Sequence, residues 1–224
     1  IGIVFAGTCL AVWYHVFKIA KDGNNHVLNT KSGMPYFISN LVGGARSQLD
    51  LILIDIFLGS QAASLYVPSS ALPKRARVFV VSVVDTTLLH RTLKIAKQSL
   101  VLFKIKVLKL TGLWVALGLI VAYFCSLFAD QFLSLYGEKY LEAKPFFLWL
   151  LILIPIRFGL AQLTSALKHR YSAAGRTFDQ IITLALMCLL ITLLAPTYGL
   201  AGGIAAVVCA DTTLAVLFIF RLMR

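Results

Sequence analysis

The chain has 224 residues, of which 59% are hydrophobic and only 13% are charged, and its mean hydropathy is +0.87. A soluble domain carries about 25% charged residues, so the composition excludes the ordinary soluble classes and indicates an integral membrane protein. The net charge of +12 would suggest nucleic-acid binding in a soluble protein. In a membrane protein it is the expected surplus of Lys and Arg in cytoplasmic loops, and we expect no nucleic-acid partner.

Apolar runs near the length that a helix needs to cross a bilayer recur along the whole chain. The pattern predicts an all-α, polytopic membrane helical bundle with about seven transmembrane helices. The predicted spans are residues 1–19, 35–59, 62–89, 110–129, 145–167, 177–196 and 199–220. The third span is the longest, and we expect Pro68 and Pro73 to bend it.

Lys and Arg are distributed unequally among the loops. The loops after the first, third and fifth spans are basic, whereas the turns after the second and sixth spans contain no Lys or Arg. Because basic loops stay in the cytoplasm, this alternation predicts that those three loops and the C-terminus are cytoplasmic. The first span then enters from the outside, and the chain starts at Ile1 without Met, so we expect it to be part of a longer protein.

The third span contains three cations, Lys74, Arg75 and Arg77, inside a run that is otherwise apolar. Charge at membrane depth is costly and usually faces a bundle interior or a water-filled cavity. Lys74 and Arg77 share a helix face, with Arg75 turned about 100° away. The cations outnumber nearby anions, which predicts a site for a mobile anion such as a phosphate or pyrophosphate. The alternative is that all three side chains extend to the cytoplasmic interface.

Among the other charged residues inside predicted spans, five are candidates for a role in the bundle interior: Arg46, Asp50, Asp55, Arg157 and Asp211. Arg46 and Asp50 are four residues apart and can pair on one helix face, either as a structural pair or as part of a site. We add Arg46 and Arg157 to the predicted anion-binding residues. The three aspartates are candidates for ion coupling or structural pairing. The alternatives are an outer-interface position for Asp55 and an inter-helix hydrogen-bonding role for Asp211.

Residues 93–110 place five lysines among apolar residues. This is typical of an amphipathic helix on the anionic inner leaflet, with a specific partner as the alternative. No His, Asp and Glu residues have the spacing of a metal site, and no Gly-rich phosphate loop or nucleophile elbow is present. We therefore expect no metal, no cofactor and no enzymatic activity.

Four groups of residues carry a resemblance to a known family. They are RSQLD with LGSQAASLY (residues 46–50 and 58–66), YGEKYLEA (136–143), AAGR (173–176) and PTYGLAGGIA (196–205). In their order and spacing they resemble the C-terminal half of the multidrug/oligosaccharidyl-lipid/polysaccharide exporter superfamily, in particular the bacterial polysaccharide flippases of the O-antigen type.

The resemblance implies a fold of two six-helix lobes around a central cavity that opens alternately to each side. Residues 1–20 would be the last helix of the N-terminal lobe, 21–34 a cytoplasmic loop and 35–224 the C-terminal six-helix lobe. The implied function is the export of undecaprenyl-pyrophosphate-linked oligosaccharide across the bacterial inner membrane for surface polysaccharide biosynthesis. The implied partners are that lipid-linked oligosaccharide, membrane lipids and polysaccharide assembly proteins. The segment 73–77 is more basic than is usual in the family, so its binding role is inferred from the residues themselves.

Three other functions compete with a flippase. A cation-coupled multidrug antiporter of the same superfamily would favour carboxylates in its cavity, whereas this bundle is rich in cations. A membrane polymerase or ligase would need a sizeable outer loop with Arg or His, and residues 130–144 are short and contain neither. A non-transporting scaffold subunit is the third alternative.

Overall fold

The computed structural model describes residues 30–84, 99–170 and 173–224, and within these ranges the chain is helical without strands. The predicted first span and residues 85–98, which include the start of the basic segment 93–110, lie outside the described residues. The helices are α1 (Thr30–Val83), α2 (Leu100–Leu127), α3 (Ala129–Ser134), a 3₁₀ helix (Glu138–Ala143), α4 (Lys144–Leu150), α5 (Leu153–Arg170) and α6 (Ala173–Met223). The prediction of an all-α protein is confirmed for these residues.

Helix α1 folds back on itself at Gly59. That residue has φ of 83° and ψ of 170°, which is not helical, and such a positive φ is readily adopted by glycine. Lys74 Nζ lies 2.9 Å from Asp50 Oδ1, although 24 residues of straight helix would separate them by about 36 Å. The two arms of α1 are therefore an antiparallel hairpin, as the uncharged turn in the sequence predicts.

Helix α6 reverses in the same manner at Gly199, which has φ of 60° and ψ of −144°. Arg221 Nε lies 2.6 Å from Asp179 Oδ2, which joins the far ends of the two arms. A Cβ at Gly202 would collide with the backbone carbonyl of Leu194, so the chain needs a residue without a side chain just after the turn.

The two reversals lie at the same end of the bundle. A Cβ built on Gly203 would lie 3.3 Å from Ile54 Cγ1, and these residues are within a few positions of Gly199 and Gly59. The opposite end carries basic residues. There Lys104 Nζ donates to the carbonyl oxygen of Met223 at 2.6 Å, and Arg221 pairs with Asp179. The bundle thus has one end with two uncharged turns and one end that carries Lys and Arg.

Helices α2 and α5 pack closely through glycines. A Cβ on Gly118 would lie 2.6 Å from Pro155 Cα, and one on Gly159 would lie 2.9 Å from Val115 Cγ2. Small residues let helices approach in this manner. At Gly112, six residues before Gly118 on α2, nothing lies within 4 Å of a Cβ built there, so the close approach is confined to the later part of the helix.

Three helical stretches among the described residues are long and apolar enough to cross a membrane: Phe37–Val83, Leu100–Leu127 and Gly175–Met223. The pair Glu138–Leu150 and Leu153–Lys168, bent by 48°, would be a fourth. Large apolar side chains on the outside, such as Leu113 and Leu193, are 65% and 58% exposed. Such a surface fits a membrane protein.

The predicted spans differ from the structure in three places. The second and third spans form the two arms of α1, and helical backbone angles continue through Pro68 and Pro73 to Val83. Hydroxyl groups near these prolines donate to backbone carbonyls, as Ser69 Oγ does to the oxygen of Leu65 at 2.8 Å, and such contacts help a membrane helix to tolerate proline. The fifth span, predicted as one helix, is divided between α4 and α5 by a turn at residues 151–152.

The third difference concerns the basic segment 93–110. Its described part is not a separate helix, because α2 begins at Leu100 and continues to Leu127. The Ser99 hydroxyl accepts a hydrogen bond from the backbone N–H of Leu102 at 3.4 Å and so caps the helix start. Lys104, Lys106 and Lys109 therefore occupy the first turns of an apolar helix at the basic end of the bundle.

Candidate functional site

A cavity of about 540 Å³ lies between α1, α5 and α6. Its lining runs from Asp50 in the middle of the bundle to Ser39 near the basic end, and from Arg157 to Lys168 along α5. Eleven residues of helix correspond to about 16 Å. The cavity therefore extends from mid-bundle toward the basic end and does not reach the two glycine reversals.

The lining of this cavity is rich in positive charge. It contains six cationic side chains and two carboxylates, a surplus of four positive charges. The cations are Arg46, Lys74, Arg77, Arg157, Lys168 and Arg176, and the carboxylates are Asp50 and Asp211. A partly enclosed site with this balance attracts anions, since the low dielectric of the surroundings strengthens each interaction.

Asp211 joins three helical segments. Its Oδ1 accepts a hydrogen bond from Arg46 Nη2 at 2.8 Å, and its Oδ2 accepts one from Arg157 Nε at 2.8 Å. Arg46 also donates through Nη1 to the Thr183 hydroxyl at 2.6 Å. All three charged side chains are nearly buried. The arrangement connects the first arm of α1 to α5 and to both arms of α6.

Asp50 holds the two arms of the α1 hairpin together. Its Oδ1 accepts from Lys74 Nζ at 2.9 Å and its Oδ2 accepts from the Tyr66 hydroxyl at 2.7 Å. Lys74 Nζ also lies 5.5 Å from the centroid of the Tyr66 ring, within the range of a cation–π contact. Asp50 and Tyr66 are buried, whereas the Lys74 side chain is 25% exposed.

These contacts differ from the pairing that the sequence suggested. Arg46 and Asp50 share a helix face, but Arg46 pairs with Asp211 and Asp50 pairs with Lys74. The i,i+4 spacing made a local pair possible, yet each residue has a partner on another segment. The alternative reading of Asp211 as an inter-helix bonding residue matches its position.

The three-cation cluster of the third span is divided by the structure. Lys74 and Arg77 line the cavity together with Val78 and Val81, at positions that form one stripe of the helix. Arg75 is exposed and is not part of the lining. Asp55 is also exposed, one turn from Gly59, and makes no ion pair with any residue in the described ranges.

Four residues of the site were missed by the sequence reasoning. Lys168 and Arg176 were assigned to a cytoplasmic loop, while Tyr66 and Thr183 were not singled out. The signal for Lys168 was available, because Arg157, Thr164 and Lys168 are spaced by seven and four residues and lie on one helix face. The partners of Tyr66 and Thr183 are distant in sequence, and no local pattern indicates them.

The ends of the cavity-forming helices are connected by polar contacts. The Ser39 hydroxyl donates to Gln180 Oε1 at 2.9 Å, which joins α1 to α6. Arg221 donates through Nε and Nη2 to the two oxygens of Asp179, both at 2.6 Å. This bidentate geometry is among the stronger forms of ion pair, and it fixes the basic end of the α6 hairpin.

No group of three or more His, Cys, Asp or Glu side chains within the described ranges could hold a metal ion. The chemistry that the cavity offers is the binding of an oxyanion by guanidinium and ammonium groups. Comparison with protein-family models, with curated proteins and with solved structures found no match.

Proposed function

We propose that this chain is the C-terminal six-helix lobe of a bacterial polysaccharide flippase, which exports undecaprenyl-pyrophosphate-linked oligosaccharide by alternating access. The observation that carries the proposal is the cavity with six cations and two carboxylates inside a bundle of long apolar helices. In the proposed mechanism the cations bind the diphosphate, and the polyprenyl chain stays in the lipid.

The position of the cavity supports this direction of transport. It extends toward the basic end, which the charge rule assigns to the cytoplasm, where a lipid-linked oligosaccharide would enter. At the other end Ile54, Leu200 and Ile204 are buried in one apolar cluster. A cavity that extends toward one end, with a packed apolar cluster at the other end, fits one state of an alternating-access protein.

The outer surface supports a substrate with a hydrocarbon tail. Exposed apolar side chains cover most of α2 after Lys109 and much of the outer faces of α1 and α6, so a polyprenyl chain beside the bundle would meet a largely apolar surface there. A cationic cavity beside such a surface suits an amphipathic ligand with a charged head and an apolar tail.

The proposal is tested in a bacterial strain that lacks the gene, complemented with the full-length gene product. We expect the deletion strain to accumulate lipid-linked oligosaccharide and to lose surface polysaccharide. The wild-type gene should restore export, whereas an Arg77→Ala variant at equal expression should not. Arg75→Ala, outside the cavity, is the matched control and should export normally.

Dye efflux measured in the same strains distinguishes a flippase from a multidrug antiporter of the same superfamily. Unchanged surface polysaccharide together with lost dye efflux in the deletion strain would reject the flippase. Asp50 and Asp211 both bind cationic side chains, so neither is available as an unpaired carboxylate for a coupling cation in this state.

A further inference from the structure

Lys74 and Arg77 line the same cavity but differ in their partners. Lys74 donates to Asp50, whose other oxygen accepts from Tyr66. Arg77 is partly buried and makes no hydrogen bond or ion pair with any residue in the parts of the chain that the structure describes. Lys74 is therefore held by the α1 hairpin, whereas the guanidinium group of Arg77 is available to a ligand.

The surroundings of Arg77 are unfavourable for a cation. Burial disfavours its charged form, and although Asp211 attracts it, Arg157 and Arg46 repel it. Both oxygens of Asp211 already accept hydrogen bonds from those two arginines. A partly buried charge without a hydrogen-bonded partner of its own lowers the stability of a fold, so we do not expect Arg77 to stabilise the protein.

Arg157 provides a second set of available donors. Its Nε is bound by Asp211, and within the described chain neither of its Nη groups donates a hydrogen bond. Asp211 thus fixes the guanidinium plane of Arg157 and leaves the outer edge of that plane without a protein acceptor. A guanidinium edge fits two oxygens of a phosphate group.

We infer that Arg77, together with the Nη edge of Arg157, is the binding site for the phosphate groups of the ligand, and that Lys74 is a structural residue of the α1 hairpin. The inference deepens the proposed function, on which it rests, by assigning its anion site to particular residues. Arg77 lowers the stability of the protein without ligand. A bound oxyanion supplies a hydrogen-bonded negative charge for Arg77, which no residue in the described ranges provides.

The experiment measures thermal unfolding of the purified full-length protein in detergent, with and without inorganic pyrophosphate. We expect pyrophosphate to raise the Tm of the wild type. Arg77→Ala should have a Tm without pyrophosphate equal to or above that of the wild type, and an apparent pyrophosphate affinity at least about tenfold weaker. Arg77→Lys, which keeps the charge without the planar fork, should have an intermediate affinity.

Three further variants distinguish anion binding from a structural role. Arg75→Ala removes the same kind of charge outside the cavity and should bind pyrophosphate as the wild type does. Lys74→Ala should lower the Tm without pyrophosphate, because it leaves Asp50 without its cation. Adding Asp50→Asn to Lys74→Ala should restore the Tm, and the pyrophosphate response should persist.

The inference is overturned if wild-type protein shows no pyrophosphate response, if Arg77→Ala keeps that response, or if its Tm without pyrophosphate falls. Its failure is distinguishable from failure of the proposed function. Loss of the pyrophosphate response in Arg77→Ala, with surface polysaccharide independent of the gene, would keep the anion site and reject the flippase.

Discussion

The two buried aspartates of the cavity have similar partners but different places in the fold. Asp50 binds Lys74 and Tyr66, and all three belong to the two arms of α1. Asp211 binds Arg46 and Arg157, which belong to α1 and α5 while Asp211 lies in α6. One carboxylate therefore closes a hairpin, and the other holds separate helices around the cavity.

The two carboxylates differ in what brings their partners close, and this decides how much stability each contact contributes. A partner within one hairpin is brought close by the turn itself, so that losing the contact leaves the hairpin topology in place. A partner on another helix is brought close only by the packing of the bundle. We expect the inter-helix site to be the more sensitive of the two.

The largest effect is expected for Asp211→Asn. The change removes the negative charge that two nearly buried arginines share, and removing one partner of a buried ion pair costs about 3–5 kcal/mol. Thermal unfolding in detergent at constant lipid content measures the loss. A variant as stable as the wild type would show that Asp211 does not hold the helices together.

A smaller effect is expected for Asp50→Asn, about 1–3 kcal/mol, because Lys74 is 25% exposed and can reach water. Adding Lys74→Met should bring the stability back to within about 1 kcal/mol of the wild type, since both partners of the charge pair are then removed. The double-mutant cycle measures this coupling directly. If the second substitution adds to the first without compensation, the pair is not coupled and the comparison fails.

The smallest effects are expected where water screens the charges. Arg221→Ala removes the bidentate pair with Asp179, but the Arg221 side chain is 30% exposed, and we expect a loss of about 1 kcal/mol.

Lys144→Ala breaks an exposed pair with Asp130 at 2.7 Å and should change stability by less than about 0.5 kcal/mol. The same unfolding assay ranks both, and a larger effect for Lys144 than for Arg221 would contradict the dependence on burial.

Hydropathy predicted the all-helical class, and the uncharged turns after the second and sixth spans predicted where α1 and α6 reverse. Gly59 and Gly199 lie at these reversals with positive φ values that other residues rarely adopt. The start of α2 and the division between α4 and α5 were not predicted. Lysine side chains among apolar residues do not end a helix, and the turn at residues 151–152 lies between two apolar segments with no polar residue to mark it.

The sequence predicted which charged residues line the cavity better than it predicted the contacts between them. The rule that charge in an apolar span faces the bundle interior identified Arg46, Lys74, Arg77, Arg157 and Asp211, all of which line the cavity. It also included Arg75 and Asp55, which are exposed and are not part of the cavity lining. Pairing depends on which helices become neighbours, and helical periodicity within one span carries no information about that.

The shared end of the two glycine reversals has a consequence for how this chain can change. Gly59 and Gly199 lie at the same end of the bundle. The chain between them therefore passes from one end to the other an even number of times. Insertion or loss of a single helix between Gly59 and Gly199 would alter that parity and invert the segment that carries Asp211. Changes in helix number that preserve the cavity must therefore come in pairs.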